Sequence, residues 1–255
     1  MELIILGCHS ATPRENHHTT SQVLKIKKHY FLIDCGEGTQ IQLRKAKINF
    51  SRINHIFISH LHGDHFYGLI GLISSFRLLG RKKALYIYGP KGIKNLIVSQ
   101  LKASNSWTNY PLIFKELFSS KSQTLYEDEI VSVKTIPLNH RIYTNGFLFK
   151  SNEEKNQIYA FCSDTKYDEN IIDYIKFADI LYHDSTFLNL DKDLAIKTKH
   201  STSIEAATIA EKAKVKKLIL GHYSSRYKKK DMFLEEAKNV FINSYLSEDL
   251  KRFLL

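Results

Sequence analysis

Three histidines and one aspartate occur within six consecutive residues, in the segment His60-Leu61-His62-Gly63-Asp64-His65. Side chains alternate in an extended segment, so His60 and His62 are expected to point to the same side. Gly63 allows the backbone to turn sharply, so that Asp64 and His65 can point toward a second position. The types and spacing of these residues therefore predict two adjacent sets of metal ligands.

The ligand types and their position indicate what kind of metal site this is. Imidazole and carboxylate without thiolate suit Zn, Mn or Fe better than Mg or Ca. The alternative is a chance histidine-rich turn on the surface, and the apolar run Ile56–Ile58 that leads into the cluster argues against it. A closed structural zinc site is also disfavoured, because four ligands so close in sequence cannot all face one tetrahedral ion.

Two metal ions need further ligands, and three candidates follow later strand-like segments. These are His140, Asp164 and His222. A lone histidine is more often a hydrogen-bonded residue of the interior than a ligand. However, open α/β sites collect their ligands just past strand ends, where all three residues lie. We therefore interpret them as further ligand candidates.

The elements that must position these residues alternate along the chain. Short apolar runs predict strands, which we place at Leu3–Leu6, Tyr30–Ile33, His55–Ser59, Leu85–Tyr88, Ile130–Ile136, Gly146–Phe149, Ile158–Cys162, Ile180–His183 and Lys217–Leu220. Helical periodicity predicts helices over Thr39–Lys47, Phe66–Leu79, Ile93–Leu101, Ser203–Ala213 and Asp231–Phe241. The economical architecture is a four-layer α/β sandwich, two sheets with helices outside, and we expect one domain over residues 1–255.

The charge and the cysteines restrict the partners and the compartment. A net charge of +11 and a pI of about 9.4 favour polyanionic partners, although many of the lysines could simply be solvated. Three separated cysteines without a CxxC pair argue for a reducing compartment. No signal peptide or membrane-spanning run is visible. We therefore predict a cytoplasmic protein with no membrane partner.

The chain resembles, almost end to end, the tRNA 3′-processing endonuclease family RNase Z, which has the metallo-β-lactamase fold. The HxHxDH element at 60–65 specifies only the superfamily. Narrower matches are Asp34-Cys35-Gly36-Glu37-Gly38-Thr39-Gln40, His200-Ser201-Thr202 and Gly221-His222-Tyr223-Ser224-Ser225-Arg226-Tyr227. The resemblance implies a four-layer αββα sandwich and a hydrolase that cleaves RNA phosphodiesters and works as a homodimer.

The resemblance also implies an assignment of the metal ligands. One metal would lie on His60, His62 and His140, and a second on Asp64, His65 and His222, with Asp164 bridging them. Two zinc ions are implied, with Mn or Fe as alternatives. Two adjacent metal ions of this kind activate water and neutralise charge on a scissile phosphodiester. Asp64 would orient that water or accept its proton.

Further roles follow from the same resemblance. His200 resembles the family's proton donor to the leaving 3′-oxygen. Its companion carboxylate is usually Glu in the family, whereas this chain has Asp184, so either the backbone lies closer or the pair is weaker. Asp184 could instead be a strand-end residue that caps a turn. Ser224, Ser225 and Arg226 could hold a phosphate, and Arg226 could equally be an ion-paired surface residue.

The match fails at two places that concern the substrate. The family carries a long arm that grips the tRNA elbow, inserted before the Ser-Asp-Thr motif, whereas here the short segment 150–157 leads to Ile158. The first loop, Thr12–His18, also departs from the usual spacing of basic residues. Without the arm, RNA would be held by the basic body, and binding should become weaker and more sensitive to salt.

Three functions remain as hypotheses. The first is 3′ processing of pre-tRNA by cleavage after the discriminator, which leaves a 3′-hydroxyl. The alternative is a phosphodiesterase of the same fold that acts on small or non-tRNA phosphodiesters, which the missing arm favours and the basic charge disfavours. The remote alternative is a non-catalytic metal- or RNA-binding subunit, which would require loss of ligands that are all present. The segments around His200 and His222–Tyr227 argue against lactamase or thioesterase activity.

Overall fold

The computed structural model describes residues 1–152 and 156–255. The chain divides into two compact units, each built on one seven-stranded sheet. The first unit comprises residues 1–7, 11–118 and 249–254, and the second comprises 8–10, 119–248 and 255. Strands and helices in both units place the protein in the α/β class. The single domain expected over residues 1–255 stays a prediction.

The sheet of the first unit places the His60–His65 segment at the end of a buried parallel strand. Its strands are β1 (Glu2–Gly7), β2 (Ser21–Ile26), β3 (His29–Ile33), β4 (Ile53–Phe57), β5 (Leu85–Pro90), β6 (Leu112–Leu117) and β14 (Arg252–Leu254). Their order is β14-β1-β2-β3-β4-β5-β6, antiparallel as far as β3 and parallel from β3 to β6. The chain leaves the carboxyl end of β4 directly into the histidine segment.

Helices of the first unit cover its sheet and fix the turn after the histidines. They are α1 (Thr39–Lys45), α2 (Gly63–Phe66), α3 (Gly68–Leu78) and α4 (Ile93–Ala103). The predicted helix Phe66–Leu79 corresponds to α3 and the last residue of α2. Helix α3 buries Leu69, Leu72, Ile73 and Phe76, a spacing that forms one apolar face. At its start Gly68 approaches the carbonyl oxygen of Gly36 so closely that a Cβ would lie 2.1 Å from it.

In the second unit, the carboxyl ends of three neighbouring parallel strands lie side by side at one edge of the sheet. Its strands are β7 (Thr124–Glu127), β8 (Val131–Pro137), β9 (Asn145–Ser151), β10 (Ile158–Cys162), β11 (Ile180–Asp184), β12 (Leu218–Gly221) and β13 (Ser244–Leu246). Pairing is antiparallel from β7 to β10 and parallel from β10 to β13. The short connection from β9 to β10, expected in place of the arm, includes residues 153–155, which lie outside the described residues.

The helices of the second unit position His200. They are α5 (Ile172–Ile175), α6 (Lys192–Thr198), α7 (Ser203–Lys212) and α8 (Asp231–Lys238). Thr202 and Glu205 form a capping box that fixes the start of α7. Lys199, in the left-handed conformation, ends α6. His200 therefore lies in a short connection that is held at both ends. None of the described helices has the length and apolar character needed to cross a membrane.

Candidate active site

The first pair of histidines in the first unit is set for a shared ion. His60 is fully buried, and its Nε2 lies 2.9 Å from Nδ1 of His62. The hydroxyl of Ser59 donates to Asp34, so the Nδ1–H of His60, 3.0 Å away, donates to Ser59 Oγ. Nε2 of His60 is then unprotonated, and it faces a second ring nitrogen. A cation between these two atoms satisfies both.

His65 is oriented by a buried carboxylate in the same unit. Its Nδ1–H donates to Oδ2 of Asp34 over 2.7 Å, and Asp34 also accepts from the backbone N–H and the hydroxyl of Ser59. Asp34 is fully buried and has a positive φ of 55° directly after β3. A carboxylate that holds Nδ1–H of a histidine fixes the tautomer in which Nε2 is the metal-binding atom, a recurring arrangement at metal sites.

Asp64 begins the turn of α2 beside His65. Its Oδ2 accepts the backbone N–H of Ala11 over 2.8 Å and lies 3.6 Å from Nε2 of His65. Gly63 makes this turn possible, because a Cβ there would lie 2.2 Å from the ring of Tyr67. The four predicted ligands of the first unit thus offer two pairs of metal-binding atoms, His60 with His62 and Asp64 with His65.

Asp164 of the second unit faces two histidines through its two different oxygens. Oδ2 lies 3.5 Å from Nε2 of His140, and Oδ1 lies 3.1 Å from Nε2 of His222. Asp164 and His222 follow the carboxyl ends of β10 and β12, both with positive φ, and all three residues are buried. A carboxylate with one oxygen toward each histidine has the geometry needed to bridge two ions.

The outer nitrogens of these two histidines are held by hydrogen bonds. His140 Nδ1–H donates to the carbonyl of Lys199 over 2.9 Å. The hydroxyl proton of Thr186 goes to Asp184, so Nδ1–H of His222 donates to Thr186 Oγ1, also over 2.9 Å. Burial lowers the pKa of His140 to about 4 and keeps its ring neutral. Both Nε2 atoms are therefore available as ligands, and the donor set fits metal ions of the zinc type.

Asp184 and His200 form a buried pair at the end of β11. Nδ1 of His200 donates to Oδ2 of Asp184 over 2.7 Å, so the shorter aspartate makes the contact directly. Burial opposes charge on His200, but the carboxylate of Asp184 outweighs it and raises the pKa of the histidine. Burial likewise opposes charge on Asp184, and the charge and hydrogen bond of His200 lower the pKa of that carboxyl. This pairing leaves Nε2 of His200 to exchange a proton.

Thr186 connects that pair to a metal ligand. Its Oγ1 lies 2.7 Å from Oδ1 of Asp184, 3.2 Å from Nδ1 of His200 and 2.9 Å from Nδ1 of His222. The His200 and His222 rings stack with their centroids 5.1 Å apart. Ligand atoms of Asp164, Asp184, His200 and His222 all lie within 4.8 Å of one another. One hydroxyl thus supports both the pair and the ligand.

The three predicted substrate contacts differ in how they are held. The guanidinium of Arg226 lies over the ring of Phe187, 5.3 Å from its centroid, and 3.4 Å from Oδ1 of Asp191. Ser224 donates its backbone N–H to the carbonyl of Thr186. Ser225 is exposed. Arg226 is therefore both ion-paired and half-exposed, with side-chain surface left for a ligand.

Sequence reasoning missed the supporting residues Asp34, Ser59 and Thr186. Each is a small polar residue at or just past a strand end. The signal that could have found them is the need of every ligating histidine for a partner at its second nitrogen.

A pocket of about 440 Å³ also opens in the second unit, lined among others by Asn139, His140 and Tyr174, and is large enough for a small ligand.

Comparison with known proteins places the chain in a family. The family model described as Anti-Pycsar protein Apyc1 matches residues 1–245. A protein named ribonuclease Z from Bacteroides thetaiotaomicron is 39% identical, over 97% of this chain and 93% of that protein. A ribonuclease Z from Cytophaga hutchinsonii is 41% identical, over 97% and 94%. Both alignments span 294 positions, more than the 255 residues of this chain, so these relatives contain residues without a counterpart here.

Solved structures agree with these relatives. The short form of human tRNase Z superposes with a TM-score of 0.87 at 30% identity, covering 100% of this chain and 99% of that one. A metallo-β-lactamase-fold protein from Bacillus subtilis gives a TM-score of 0.82 at 20% identity, covering 99% and 98%. The predicted metallo-β-lactamase fold and the predicted resemblance are both confirmed. The chain belongs to the ribonuclease Z family of the metallo-β-lactamase fold.

Proposed function

We propose that this chain is a metal-dependent endoribonuclease that processes the 3′ end of pre-tRNA, cleaving after the discriminator and leaving a 3′-hydroxyl. The observation that carries the proposal is the set of buried residues around Asp164, which faces His140 and His222 through different oxygens beside the Asp184–His200 pair. Membership of the ribonuclease Z family and the named relatives support the same activity.

The metal assignment within this proposal follows the family resemblance. Two zinc ions, with Mn or Fe as alternatives, would be held by His60, His62, Asp64, His65, His140, Asp164 and His222. Each histidine whose second nitrogen is held by Ser59, Asp34, Lys199 or Thr186 offers its Nε2 atom. When bound, the metals would activate water and neutralise charge on the scissile phosphodiester.

The side chains supply the proton transfers. His200 holds its Nδ1–H toward Asp184, and its raised pKa favours a proton on Nε2 as well. That proton would pass to the leaving 3′-oxygen, so His200 acts as general acid and Asp184 keeps its ring in place. Asp64, anchored by the N–H of Ala11, would orient the attacking water or accept its proton.

The short connection between β9 and β10 stands where the family has its tRNA-binding arm. Its shortness concerns how the substrate is bound and does not alter the residues proposed for cleavage. Without an arm, pre-tRNA would have to be held by the basic body of the chain. We further propose that the protein works in the cytoplasm as a homodimer. A second candidate is hydrolysis of small or non-tRNA phosphodiesters, favoured by the missing arm and by the pocket beside His140.

The experiment that separates the two candidates uses two substrates. Zinc-loaded protein is incubated with a 3′-extended pre-tRNA and with a small chromogenic phosphodiester, at low and at moderate salt. Cleavage of the pre-tRNA after the discriminator is the expected result. Turnover of the small ester alone would reject tRNA processing and leave the second candidate. Turnover of neither substrate would favour a non-catalytic binding protein.

A further inference from the structure

The net positive charge of the chain comes from one of its two units. The first unit contains 18 of the 37 Lys and Arg but only 7 of the 26 Asp and Glu, a net charge of +11. The second unit holds the remaining 19 of each sign and is neutral. A basic composition spread evenly over the surface would give both units a positive charge. The excess is therefore a property of the first unit, to which nothing so far assigns a role beyond metal ligands.

Within the first unit, two adjoining pockets collect part of this charge. A pocket of about 450 Å³ includes Arg44 in its lining, and one of about 190 Å³ includes Lys25, Lys47, Arg52 and Arg252. The pockets share Ile48 and Asn49, so they form one continuous area. A sixth basic residue, Arg81, also lines the larger pocket, but it is buried and donates to the backbone carbonyls of Lys83, Ile53 and Ala84. We call Lys25, Arg44, Lys47, Arg52 and Arg252 the basic surface.

Most of the basic surface is free to meet an anion. The single acidic residue of its two pockets is Glu2, which pairs with Arg252 at 2.7 Å and Lys25 at 3.5 Å. Arg44, Lys47 and Arg52 are exposed, and among the described residues none of the three has a carboxylate partner. Their charges are thus uncompensated.

Two of these cations are pre-positioned on aromatic rings. The guanidinium of Arg44 lies 5.3 Å from the centroid of Phe50, and that of Arg52 lies 4.7 Å from the centroid of Tyr30. A guanidinium held against a ring loses less rotamer freedom when it binds phosphate, and its remaining N–H groups can make bidentate contacts. The arrangement favours anions whose two oxygens can accept parallel hydrogen bonds from a planar guanidinium, such as phosphodiesters.

The basic surface is separate from the histidine segment of its own unit. Arg52 immediately precedes β4, whereas His60 follows its carboxyl end. The five residues of the strand alone span roughly 17 Å. A ligand on the basic surface therefore does not contact the histidines, and only a long polyanion can reach both.

We propose that the basic surface, formed by Lys25, Arg44, Lys47, Arg52 and Arg252, is a docking surface for the phosphate backbone of RNA. It binds the body of the substrate at a distance from the scissile bond. The inference rests on the proposed function, which supplies RNA as the polyanion. The surface gives this chain a means of holding RNA, although the chain lacks residues that its ribonuclease Z relatives contain.

Binding of mature tRNA to the zinc-loaded protein tests the surface without cleavage. The variant Arg44→Gln, Lys47→Gln, Arg52→Gln is compared with a matched control, Lys91→Gln, Lys94→Gln, Lys102→Gln, which removes the same charge from exposed positions of the same unit. We expect the first variant to bind about tenfold more weakly. The slope of log affinity against log salt should fall by about two to three, close to one per lost phosphate contact. The control should stay close to wild type.

An equal loss of tRNA affinity in the two triple variants would overturn the proposal, because it would indicate that RNA responds to the overall positive charge and not to a particular docking surface. A second measurement does not depend on how the variants fold. Acetylation of lysines in the wild-type protein, with and without tRNA, should show protection of Lys25 and Lys47 relative to Lys102. Absence of that protection contradicts the proposal. Unchanged pre-tRNA cleavage alongside either negative result would leave the proposed function standing, whereas wild-type protein that cleaves no pre-tRNA would reject the function itself.

Discussion

Nδ1 of His200 lies 2.7 Å from Oδ2 of Asp184, in the interior of the second unit. Aspartate is one methylene shorter than the glutamate usual in the family, yet the hydrogen bond is direct. The other oxygen of Asp184 accepts from the N–H and the hydroxyl of Thr186. The carboxylate is therefore held on both sides, by His200 and by Thr186.

Substitution at Asp184 should affect turnover more than binding. Asp184→Asn keeps the shape but no longer fixes the His200 tautomer, and we expect kcat for RNA to fall on the order of 10²-fold or more while KM changes little. Asp184→Glu should also lower kcat. Asp184 already contacts His200 directly inside a fully buried site, so an added methylene would displace the carboxylate from that contact. Steady-state kinetics with pre-tRNA measure both variants. Asp193→Asn, on exposed α6, is the control, and wild-type kcat in Asp184→Asn would remove the assigned role.

The Thr186 hydroxyl should matter to metal affinity as well as to rate. Thr186→Val retains the shape but removes the oxygen that accepts from Nδ1 of His222, and it removes one of the two hydrogen bonds that Thr186 donates to Oδ1 of Asp184. Loss of such a support typically weakens metal binding by about 10- to 100-fold. Competition with a chromophoric chelator measures the affinity. Thr186→Ser should behave like wild type, and equal defects in the Ser and Val variants would show that packing, and not the hydroxyl, is responsible.

Asp34 should contribute to stability even in metal-free protein. In Asp34→Asn the amide must direct an N–H group toward His65 or Ser59, which are themselves donors, inside a fully buried site. An unsatisfied buried donor costs about 1–3 kcal/mol, which we expect as loss in the free energy of unfolding. Urea denaturation with and without zinc measures it. The loss should be larger with zinc, and an equal loss in both conditions would argue against support of His65 as a ligand.

Arg226 should act on substrate binding. Its guanidinium is held by Phe187 and Asp191 but half of its side chain is exposed, so it can add a phosphate contact. Arg226→Ala should raise KM for pre-tRNA by about tenfold, the loss of one charge-assisted hydrogen bond, and leave hydrolysis of a small phosphodiester unchanged. Kinetics on both substrates, with the exposed neighbour Lys228→Ala as control, measure the difference. An unchanged KM would mark Arg226 as an ion-paired surface residue only.

Metal removal should lower stability along with activity. An ion that binds only the folded protein stabilises it by about 2.7 kcal/mol at a concentration 100 times its Kd. Thermal unfolding of chelator-treated and zinc-restored protein measures the shift. We expect zinc to restore the Tm and the activity together. Full activity after exhaustive chelation would contradict the metal assignment.

Much of the site could be predicted because its ligands lie next to recognisable strands. The histidine segment follows an apolar run, and His140, Asp164 and His222 each follow another, so strand ends gave their positions in advance. Asp34 and Thr186 also lie just past strand ends, but their role is to hold a ligating histidine, and no local pattern pairs either residue with that histidine. Asp34 is separated from His65 by 31 positions, and its carboxylate reaches the ring only in the folded chain, where Asp34 has a positive φ directly after β3.

The strands that escaped prediction are mostly short or at sheet edges. β13 and β14 have three residues each, too few for a period, and β6 has an edge position with partly exposed residues. Such segments gain their structure from pairing with a neighbour, which local sequence does not encode. The neutral second unit could not be foreseen either, because total charge says nothing about its distribution until the units are known.

The most direct test of metal-dependent 3′ processing is the position of the cut. Zinc-loaded protein and its Asp164→Ala variant are incubated with a 3′-extended pre-tRNA, and the RNA products are weighed by mass spectrometry. The account predicts one product that ends at the discriminator with a 3′-hydroxyl, formed by the wild type and absent with Asp164→Ala. Scattered cut sites, a 3′-phosphate end, or undiminished cleavage by Asp164→Ala would contradict it.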